Sequence, residues 1–371
     1  MRPNMQRAPD FPVLGGDLVG GRYRVDRPLG HGGMGVVVAA THVELQRPVA
    51  LKFLAPELVD GPLTERFLRE ARAVGQLRSE HIARVFDFGF HRERYPYMVL
   101  ELLEGKDLAQ LEREKGSLPV PEAVDYVVQA LRGLAEAHAA GIVHRDLKPD
   151  NIFVTKRVNG STLVKLLDFG IAKTSDTEGD RSLTLASAVM GSPFYMAPEQ
   201  MRSARLADAR SDIWSMGVIL YQLLAGQLPF DGESVMDIGI AVSTLAPRRL
   251  LSLRPALDPA LAAVVMRCLE KDPARRWQSV PELAKVLAAH GRSHRGPRSG
   301  TIPLVAAPSD VRRAPRPGFA KGVFVGVCIT VVALSASAYV ARRVPAAQSL
   351  DAPPREPPTL TSATLPLSPA R

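Results

Sequence analysis

Residues 144–151 read His-Arg-Asp-Leu-Lys-Pro-Asp-Asn, and residues 168–170 read Asp-Phe-Gly. Each segment follows a largely apolar run, at 142–143 and at 163–167, so we expect two loops that leave neighbouring β segments of one scaffold. Carboxylate, amide and lysine side chains are grouped on these loops. Such a group is suited to holding a metal-bound triphosphate beside a hydroxyl group.

Four side chains of the two loops match the needs of phosphoryl transfer, which are positioning and charge neutralisation. Asp146 can accept or orient a hydroxyl proton, and Lys148 can neutralise the transferring phosphate. Asn151 and Asp168 offer the hard oxygen ligands that Mg²⁺ prefers. The alternative is a buried polar turn between two strands, which requires order, spacing and residue types to coincide by chance.

The two segments resemble the catalytic loop and the metal-binding triplet of the protein kinase superfamily. Lys148, two residues after Asp146, resembles the serine/threonine branch. The resemblance covers about residues 22–290 and implies an α+β, bilobal fold. It places a β-rich N-terminal lobe with one key helix at about 22–101 and a mostly helical C-terminal lobe at about 102–290. It also implies ATP with Mg²⁺, or Mn²⁺, as cofactors and Ser/Thr hydroxyls of proteins as acceptors.

A glycine-rich stretch at residues 29–37 fits the pattern Gly-x-Gly-x-x-Gly-x-Val. Glycines let the backbone approach phosphates closely. A dinucleotide-binding turn would need a helix next, whereas residues 36–40 and 48–54 both have strand patterns. The stretch therefore resembles the phosphate lid of kinases. The resemblance places these residues around the nucleotide: Leu29, Gly30, Gly32, Gly35, Val37 and Ala50, with Val37 over the adenine.

Lys52 lies inside an apolar strand pattern, where a lysine needs a partner. Glu70 shares a helical stripe with Phe67, Val74 and Leu77, so its carboxylate also needs a partner. We therefore predict a Lys52–Glu70 ion pair, which in the kinase family positions the α- and β-phosphates. A lysine that reaches solvent at a strand edge is the alternative.

Residues 97–105 read as a strand that leads into a linker. By the resemblance, Leu100 guards the back of the adenine pocket, and backbone groups of Glu101 and Leu103 bond to the adenine edge. Asp107 reaches the ribose in the same comparison. An exposed helix N-cap is an equally good interpretation of Asp107.

Residues 168–199 resemble an activation segment that ends in an Ala-Pro-Glu motif. Thr184 is the predicted phosphorylation site, and a phosphate on this segment could pair with Arg145 and order it. Ser192 stands where the family usually has threonine, and it keeps the hydroxyl group that can bridge Asp146 and Lys148.

Two other charged residues are predicted to support the site. Asp212, at the start of an apolar helix pattern at 211–221, can accept backbone N–H groups of the catalytic loop. Residues 271–277 resemble the kinase segment whose arginine pairs with the Ala-Pro-Glu carboxylate. This resemblance implies an Arg276–Glu199 ion pair.

The net charge of +9 is concentrated near the C-terminus. Residues 292–321 carry seven Lys and Arg against one Asp, and the chain before them is close to neutral. We therefore expect no nucleic-acid partner. Residues 1–21 read as a flexible N-terminus without an apolar signal-peptide core. Two cysteines, Cys268 and Cys328, argue against a disulfide framework.

Residues 322–341 contain no charged side chain. Such a helix spans about 30 Å, the thickness of a bilayer core. We predict a single membrane helix there, between a basic Pro- and Gly-rich linker at 291–321 and a short disordered tail at 342–371. The basic excess before the helix predicts a cytoplasmic kinase domain at the cell (inner) membrane. A buried globular helix is the alternative.

Gly318, Gly322 and Gly326 follow the small-xxx-small pattern of close helix pairs, although glycine is common in membrane helices in any case. The pattern permits a homodimer for trans-autophosphorylation. The Arg-Glu-Ala helix and the segment at 195–200 resemble membrane-anchored bacterial kinases of the eukaryotic (Hanks) type.

We predict a serine/threonine protein kinase for signal transduction and keep two rivals. A pseudokinase scaffold usually lacks the lysine, the aspartate or the metal ligands. A small-molecule phosphotransferase normally lacks the docking segment at 191–199.

Overall fold

Six strands form an antiparallel sheet in the N-terminal part of the chain. They are β1 (Leu18–Val19), β2 (Tyr23–Gly32), β3 (Gly35–His42), β4 (Arg47–Leu54), β5 (Val85–His91) and β6 (Tyr95–Glu101). Their order across the sheet is β1-β2-β3-β4-β6-β5. The computed structural model describes residues 13–32, 35–59, 61–170 and 193–292.

Alternation of side chains along β4 gives the sheet two different faces. Leu51 and Phe53 are fully buried on one face, in an apolar cluster of the sheet. Ala50 and Lys52 lie on the opposite face, together with Leu54. The predicted strands at 36–40 and 48–54 are confirmed, and the glycine-rich stretch precedes the first of them, with Gly30 and Gly32 at the end of β2 and Gly35 at the start of β3.

Helix α1 (Pro62–Val74) packs on the second face of the sheet. Its first residue is proline, which suits the first turn because the missing N–H is not needed there. Phe67 and Ala71 are buried against Leu54 and Met98, and they bring Glu70 to the inner side of the helix. This is the one helix that the resemblance expects in the small lobe.

The C-terminal part is mostly helical. It also contains a small separate sheet with the order β7-β8-β9, whose strands are β7 (Lys106–Asp107), β8 (Ile152–Lys156) and β9 (Thr162–Leu166). The helices are α2 (Leu108–Lys115), α3 (Val120–Ala139), α4 (Pro198–Arg202), α5 (Ala209–Ala225), α6 (Val235–Thr244), α7 (Leu250–Leu253), α8 (Pro259–Cys268) and α9 (Val280–Arg292). The expected bilobal α+β arrangement, with a β-rich N-terminal lobe and a mostly helical C-terminal lobe, is confirmed.

Helices α3 and α5 form the centre of the large core. Helix α3 ends before Gly141, whose φ of +75° gives the left-handed turn that stops a helix. Helix α5 is buried nearly all round, with Trp214 and Tyr221 fully enclosed, as its apolar sequence predicts.

Several predicted features lie outside the described residues. These are the flexible segment before residue 13, Thr184, Ser192, most of the linker, the membrane helix and the tail. Within the described residues, we find no helix that combines the length and the apolar character needed to cross a membrane. The predicted span at 322–341 therefore stays a prediction.

Candidate active site

Asp212 holds the backbone of the catalytic loop. Its carboxylate accepts hydrogen bonds from the N–H groups of His144 and Arg145, both at 2.9 Å. It also lies 2.7 Å from the ring Nε2 of His138. The carboxylate is almost completely buried at the start of α5, so these bonds satisfy a charge that water does not reach. The predicted role of Asp212 is confirmed.

The catalytic loop and the Asp-Phe-Gly segment lie side by side. The N–H of Gly170 donates to the carbonyl of His144 at 2.8 Å, and the N–H of Leu167 donates to the carbonyl of Asn151 at 2.9 Å. The rings of His144 and Phe169 are 4.5 Å apart between centroids. The two loops predicted from separate stretches are therefore one site.

Asn151 is oriented by Asp146. Its Nδ2 donates to the backbone carbonyl of Asp146 at 2.7 Å and approaches the carboxylate Oδ2 at 3.4 Å. Because Nδ2 is used in this way, Oδ1 is the amide atom that remains for a cation. Asn151 is buried, whereas Asp146 is partly exposed, as a group that meets a substrate must be.

Asp168 has a φ of +44°, a left-handed conformation that is uncommon for residues other than glycine. Such strain is kept when the surrounding contacts determine it, and it is frequent at functional sites. Its side chain is 44% exposed, so the carboxylate at the end of β9 remains open to a ligand.

Lys52 reaches across from the small lobe to this carboxylate. Its Nζ lies 2.8 Å from Oδ1 of Asp168. Burial alone would lower the pKa of Lys52, but the carboxylates of Asp168 and then Glu70 raise it above its ordinary value. The predicted Lys52–Glu70 contact stays a prediction, since the described ion pair of Lys52 is with Asp168 and Glu70 acts as a second, buried carboxylate nearby.

The same pair keeps Asp168 ionised. Burial alone would raise the pKa of Asp168, but the Lys52 ammonium group lowers it below the usual aspartate value. Burial lowers the pKa of the His144 imidazole, although the negative charge of Asp212 acts to raise this pKa. The site therefore combines an ionised Asp168 with a neutral His144 near pH 7.

The residues present fit a divalent cation. Asp168 and Asn151 offer hard oxygen atoms from the two adjoining loops, and the described hydrogen bond of Asn151 uses its nitrogen. Lys148 is partly exposed in the same loop. These donors suit Mg²⁺, with Mn²⁺ as a chemically similar alternative.

The glycine-rich stretch leaves room for phosphates. A Cβ atom on Gly30 or Gly32 would meet no described atom within 4 Å. Gly35 differs, because its φ is +144° and a Cβ atom there would lie 1.8 Å from the carbonyl oxygen of Phe53. Gly35 is therefore needed for the start of β3, while the space at the other two glycines is available to a ligand.

Side chains of β3 and β4 line the sheet next to this stretch. Val37 is opposite Lys52 in register, and Ala50 is opposite Leu100. The structure thus brings Val37, Ala50 and Lys52 to one face of the sheet, whereas Leu29, on β2, is 40% exposed.

The linker after β6 presents backbone to the cleft. The N–H of Glu101 donates to the carbonyl of Arg84 at 3.0 Å, so this N–H is already used. The backbone group that Glu101 can still offer to a purine is its carbonyl, which would accept from a donor on the base. Leu103 is partly exposed. The carboxylate of Asp107 caps α2 by accepting from the N–H of Gln110 at 2.7 Å, in agreement with the N-cap interpretation; its ribose contact stays a prediction.

Arg276 and Glu199 form a buried, two-bond ion pair, as the resemblance to kinases implied. Nη1 lies 2.7 Å from Oε1 and Nη2 lies 2.8 Å from Oε2, and the arginine is fully buried. Ser211 also donates to Oε1 of Glu199 at 2.7 Å. The pair fixes the end of the segment that follows the Asp-Phe-Gly triplet.

One buried cation near the site was not predicted from the sequence. Lys165 of β9 donates to Oε1 of Glu101 at 2.6 Å, with 7% of its side chain exposed. The signal was available, because Lys165 interrupts an apolar strand pattern just as Lys52 does.

The fold and this site define a protein kinase. Residues 23–288 match the protein kinase domain family, and the chain belongs to that family. Its members generally use ATP and Mg²⁺.

Known relatives agree with this class. The chain is 38% identical over 315 residues to the serine/threonine-protein kinase pkn3 of Myxococcus xanthus, covering 84% of this chain and 57% of that protein. It is 40% identical over 285 residues to pkn2 of the same organism, covering 76% of this chain and 33% of that protein. The chain thus spans between a third and three fifths of these relatives.

Among solved structures, the chain is similar to a double mutant of the PknI kinase domain from Mycobacterium tuberculosis. The TM-score is 0.59 at 27% identity, and the match covers 76% of this chain and 100% of that one.

Proposed function

We propose that this chain is an ATP- and Mg²⁺-dependent serine/threonine protein kinase that acts in signal transduction. The observation that carries the proposal is the meeting of Lys52, from the sheet of the small lobe, with Asp168, beside the Asp146–Asn151 pair. Side chains that can bind the phosphates of a nucleotide, a cation and a hydroxyl acceptor therefore lie next to one another.

Each of these residues then has a separate role in phosphoryl transfer. Asp146 accepts or orients the proton of the substrate hydroxyl, and Lys148 neutralises the γ-phosphate as it moves. Lys52 binds the α- and β-phosphates of ATP, which are not transferred. Mg²⁺ held by Asn151 and Asp168 would neutralise charge on the phosphate oxygens.

The rival functions fit the site less well. A pseudokinase scaffold would not need an ionised Asp168 and an oriented Asn151 beside the catalytic aspartate. A small-molecule phosphotransferase would not need the turn at Pro193–Tyr195 and the buried Glu199–Arg276 pair that fix a peptide-docking segment.

One assay separates these functions. Purified protein with radiolabelled ATP and Mg²⁺ is expected to label itself and a generic Ser/Thr-containing protein, and the label is expected to disappear with EDTA. Transfer to small-molecule acceptors but not to protein would replace the proposal with the phosphotransferase, and ATP binding without any transfer would replace it with the scaffold.

We also propose that the kinase is held at the cytoplasmic side of the cell membrane by residues 322–341. The support is the uncharged stretch of membrane length and the basic segment before it. A pair of such helices, with Gly322 and Gly326 at the contact, would bring two kinase domains together for trans-autophosphorylation.

Cell fractionation tests the location. The full chain is expected in the membrane fraction after a carbonate wash, and the double variant Cys328→Arg with Val332→Arg is expected to leave it, because charge at the centre of a membrane helix is costly. Full-length protein that stays in the soluble fraction would refute the anchor.

A further inference from the structure

A buried ion pair joins the end of β6 to β9, the strand that leads to Asp168. Nζ of Lys165 lies 2.6 Å from Oε1 of Glu101 and 3.4 Å from the carbonyl of Ile82. The lysine side chain is 7% exposed and the glutamate side chain 19% exposed. Water screens such a pair weakly, and each charge depends on the other.

Both ends of this pair are attached to parts of the site. Glu101 ends β6, where the chain enters the linker that we propose meets the adenine. Its Oε1 also accepts from the N–H of Arg84 at 2.8 Å, and its own N–H donates to the carbonyl of Arg84. Lys165 lies on β9, three residues before Asp168.

Strand β9 is a firm support for the lysine. The N–H of Leu166 donates to the carbonyl of His81, and the N–H of Ala83 donates to the carbonyl of Leu166. Strand β8 pairs with the other edge of β9. Movement of Lys165 relative to the metal-binding end of the cleft is therefore restricted.

The linker itself has little packing behind it. A cavity of about 1000 Å³ lies on this side, and its lining includes Glu101, Leu103, Glu104, Leu111, Tyr126 and Lys165. Glu101 and Lys165 both line this open groove, so the start of the linker is not enclosed in a dense core there. The Lys165–Glu101 bond ties the start of the linker to β9.

We propose that Lys165 is a positioning residue for nucleotide selection: by holding Glu101, it keeps the linker backbone in the register that accepts adenine and rejects guanine. The two purines differ at carbon 6, where adenine carries an amino donor and guanine a carbonyl acceptor. A linker carbonyl in a fixed place bonds to the first and repels the second, but a linker that shifts can offer an N–H to guanine instead. This inference rests on the proposed adenine contacts of Glu101 and Leu103.

The test compares ATP with GTP as phosphate donors in the full-length protein. Glu101→Gln combined with Lys165→Met removes both charges, so no buried charge is left alone, and the glutamine oxygen still accepts from Arg84. Lys165→Arg keeps the positive charge and the donor. Glu80→Gln is the matched control, because Glu80 pairs with Arg157 at the wall of the same cavity without touching the linker.

The double variant is expected to lower the ATP-to-GTP ratio of kcat/KM about fivefold, the worth of about one hydrogen bond. This loss is expected mainly in KM for ATP, and Lys165→Arg and Glu80→Gln are expected to keep the wild-type ratio. Glu101→Gln alone, which changes one atom, is expected to move the ratio in the same direction and gives a second measurement if the double variant does not fold.

Two results would overturn the inference. One is a double variant that is folded and keeps the wild-type ratio within about twofold; the other is an equal loss of ratio in Glu80→Gln. Wild-type protein that phosphorylates with ATP and GTP equally would instead refute the proposed adenine contacts, and a wild-type protein without phosphoryl transfer would refute the proposed function.

Discussion

Asp146→Asn is expected to lower kcat for protein phosphorylation by about 10²–10⁴-fold, because the amide cannot accept the hydroxyl proton as the carboxylate does. The fold should be retained, since the stronger bond of Asn151 is to the backbone carbonyl of residue 146 at 2.7 Å and does not use the side chain. KM for ATP should change little. Steady-state kinetics with radiolabelled ATP measure both constants.

Asp150→Asn is the matched control for this prediction. Asp150 is an exposed carboxylate in the same loop, four residues after Asp146 and next to Asn151. The change removes the same charge from the same loop, so a general electrostatic effect would appear in both variants. Equal rates for Asp146→Asn and wild type, or equal losses in the two variants, would contradict the role of Asp146.

Arg276→Met is expected to destabilise the kinase domain by about 3–5 kcal/mol, because it leaves the carboxylate of Glu199 buried without its cation. Ser211 would remain as a partner of Oε1, but one hydroxyl group does not replace a two-bond guanidinium. The variant also loses the bonds from Arg276 to the carbonyls of Glu270 and Arg210. Urea unfolding followed by circular dichroism measures the loss.

The neighbouring variant Arg275→Met removes an exposed arginine. Comparison with Arg276→Met therefore separates the effect of losing a positive charge from the effect of leaving a buried carboxylate without its partner. Arg275 is 71% exposed, and its contact with Glu270 is 3.5 Å long. Exposed pairs of this kind contribute about 0–1 kcal/mol. If the two variants lose the same free energy of unfolding, the buried Arg276–Glu199 pair does not stabilise the domain as we argue. A double change, Arg276→Met with Glu199→Gln, should recover part of the loss.

Much of the site could be predicted from the sequence because its residues are close together along the chain. The segment at 144–151 contains both Asp146, the proposed catalytic residue, and Asn151, the proposed metal ligand, and β9 leads directly to Asp168. Glu199 and Arg276 are far apart in sequence, and their pairing came from the resemblance to kinases. The structure confirms that pair at 2.7 Å.

The partners of buried lysines were harder to predict. The apolar pattern around Lys52 indicates that the amine needs a carboxylate, but it did not single out Asp168. The structure places Asp168 at 2.8 Å from the amine, and Glu70 also contributes negative charge there. The same pattern surrounds Lys165, whose partner Glu101 is on a different sheet, so no spacing along the chain could connect them.

The sequence by itself determined the class of chemistry and the kind of fold, because residue types and local spacing limit which loops can hold phosphate, cation and hydroxyl together. The tertiary structure decided which charges meet. The Lys52–Asp168 pair joins β4 to the loop after β9, and the Lys165–Glu101 pair joins β9 to the end of β6, so both depend on how segments that are distant in sequence pack together. The local pattern of apolar and polar residues predicts whether a side chain is buried. The distance between two buried charges is set by the packing of segments that are distant in sequence.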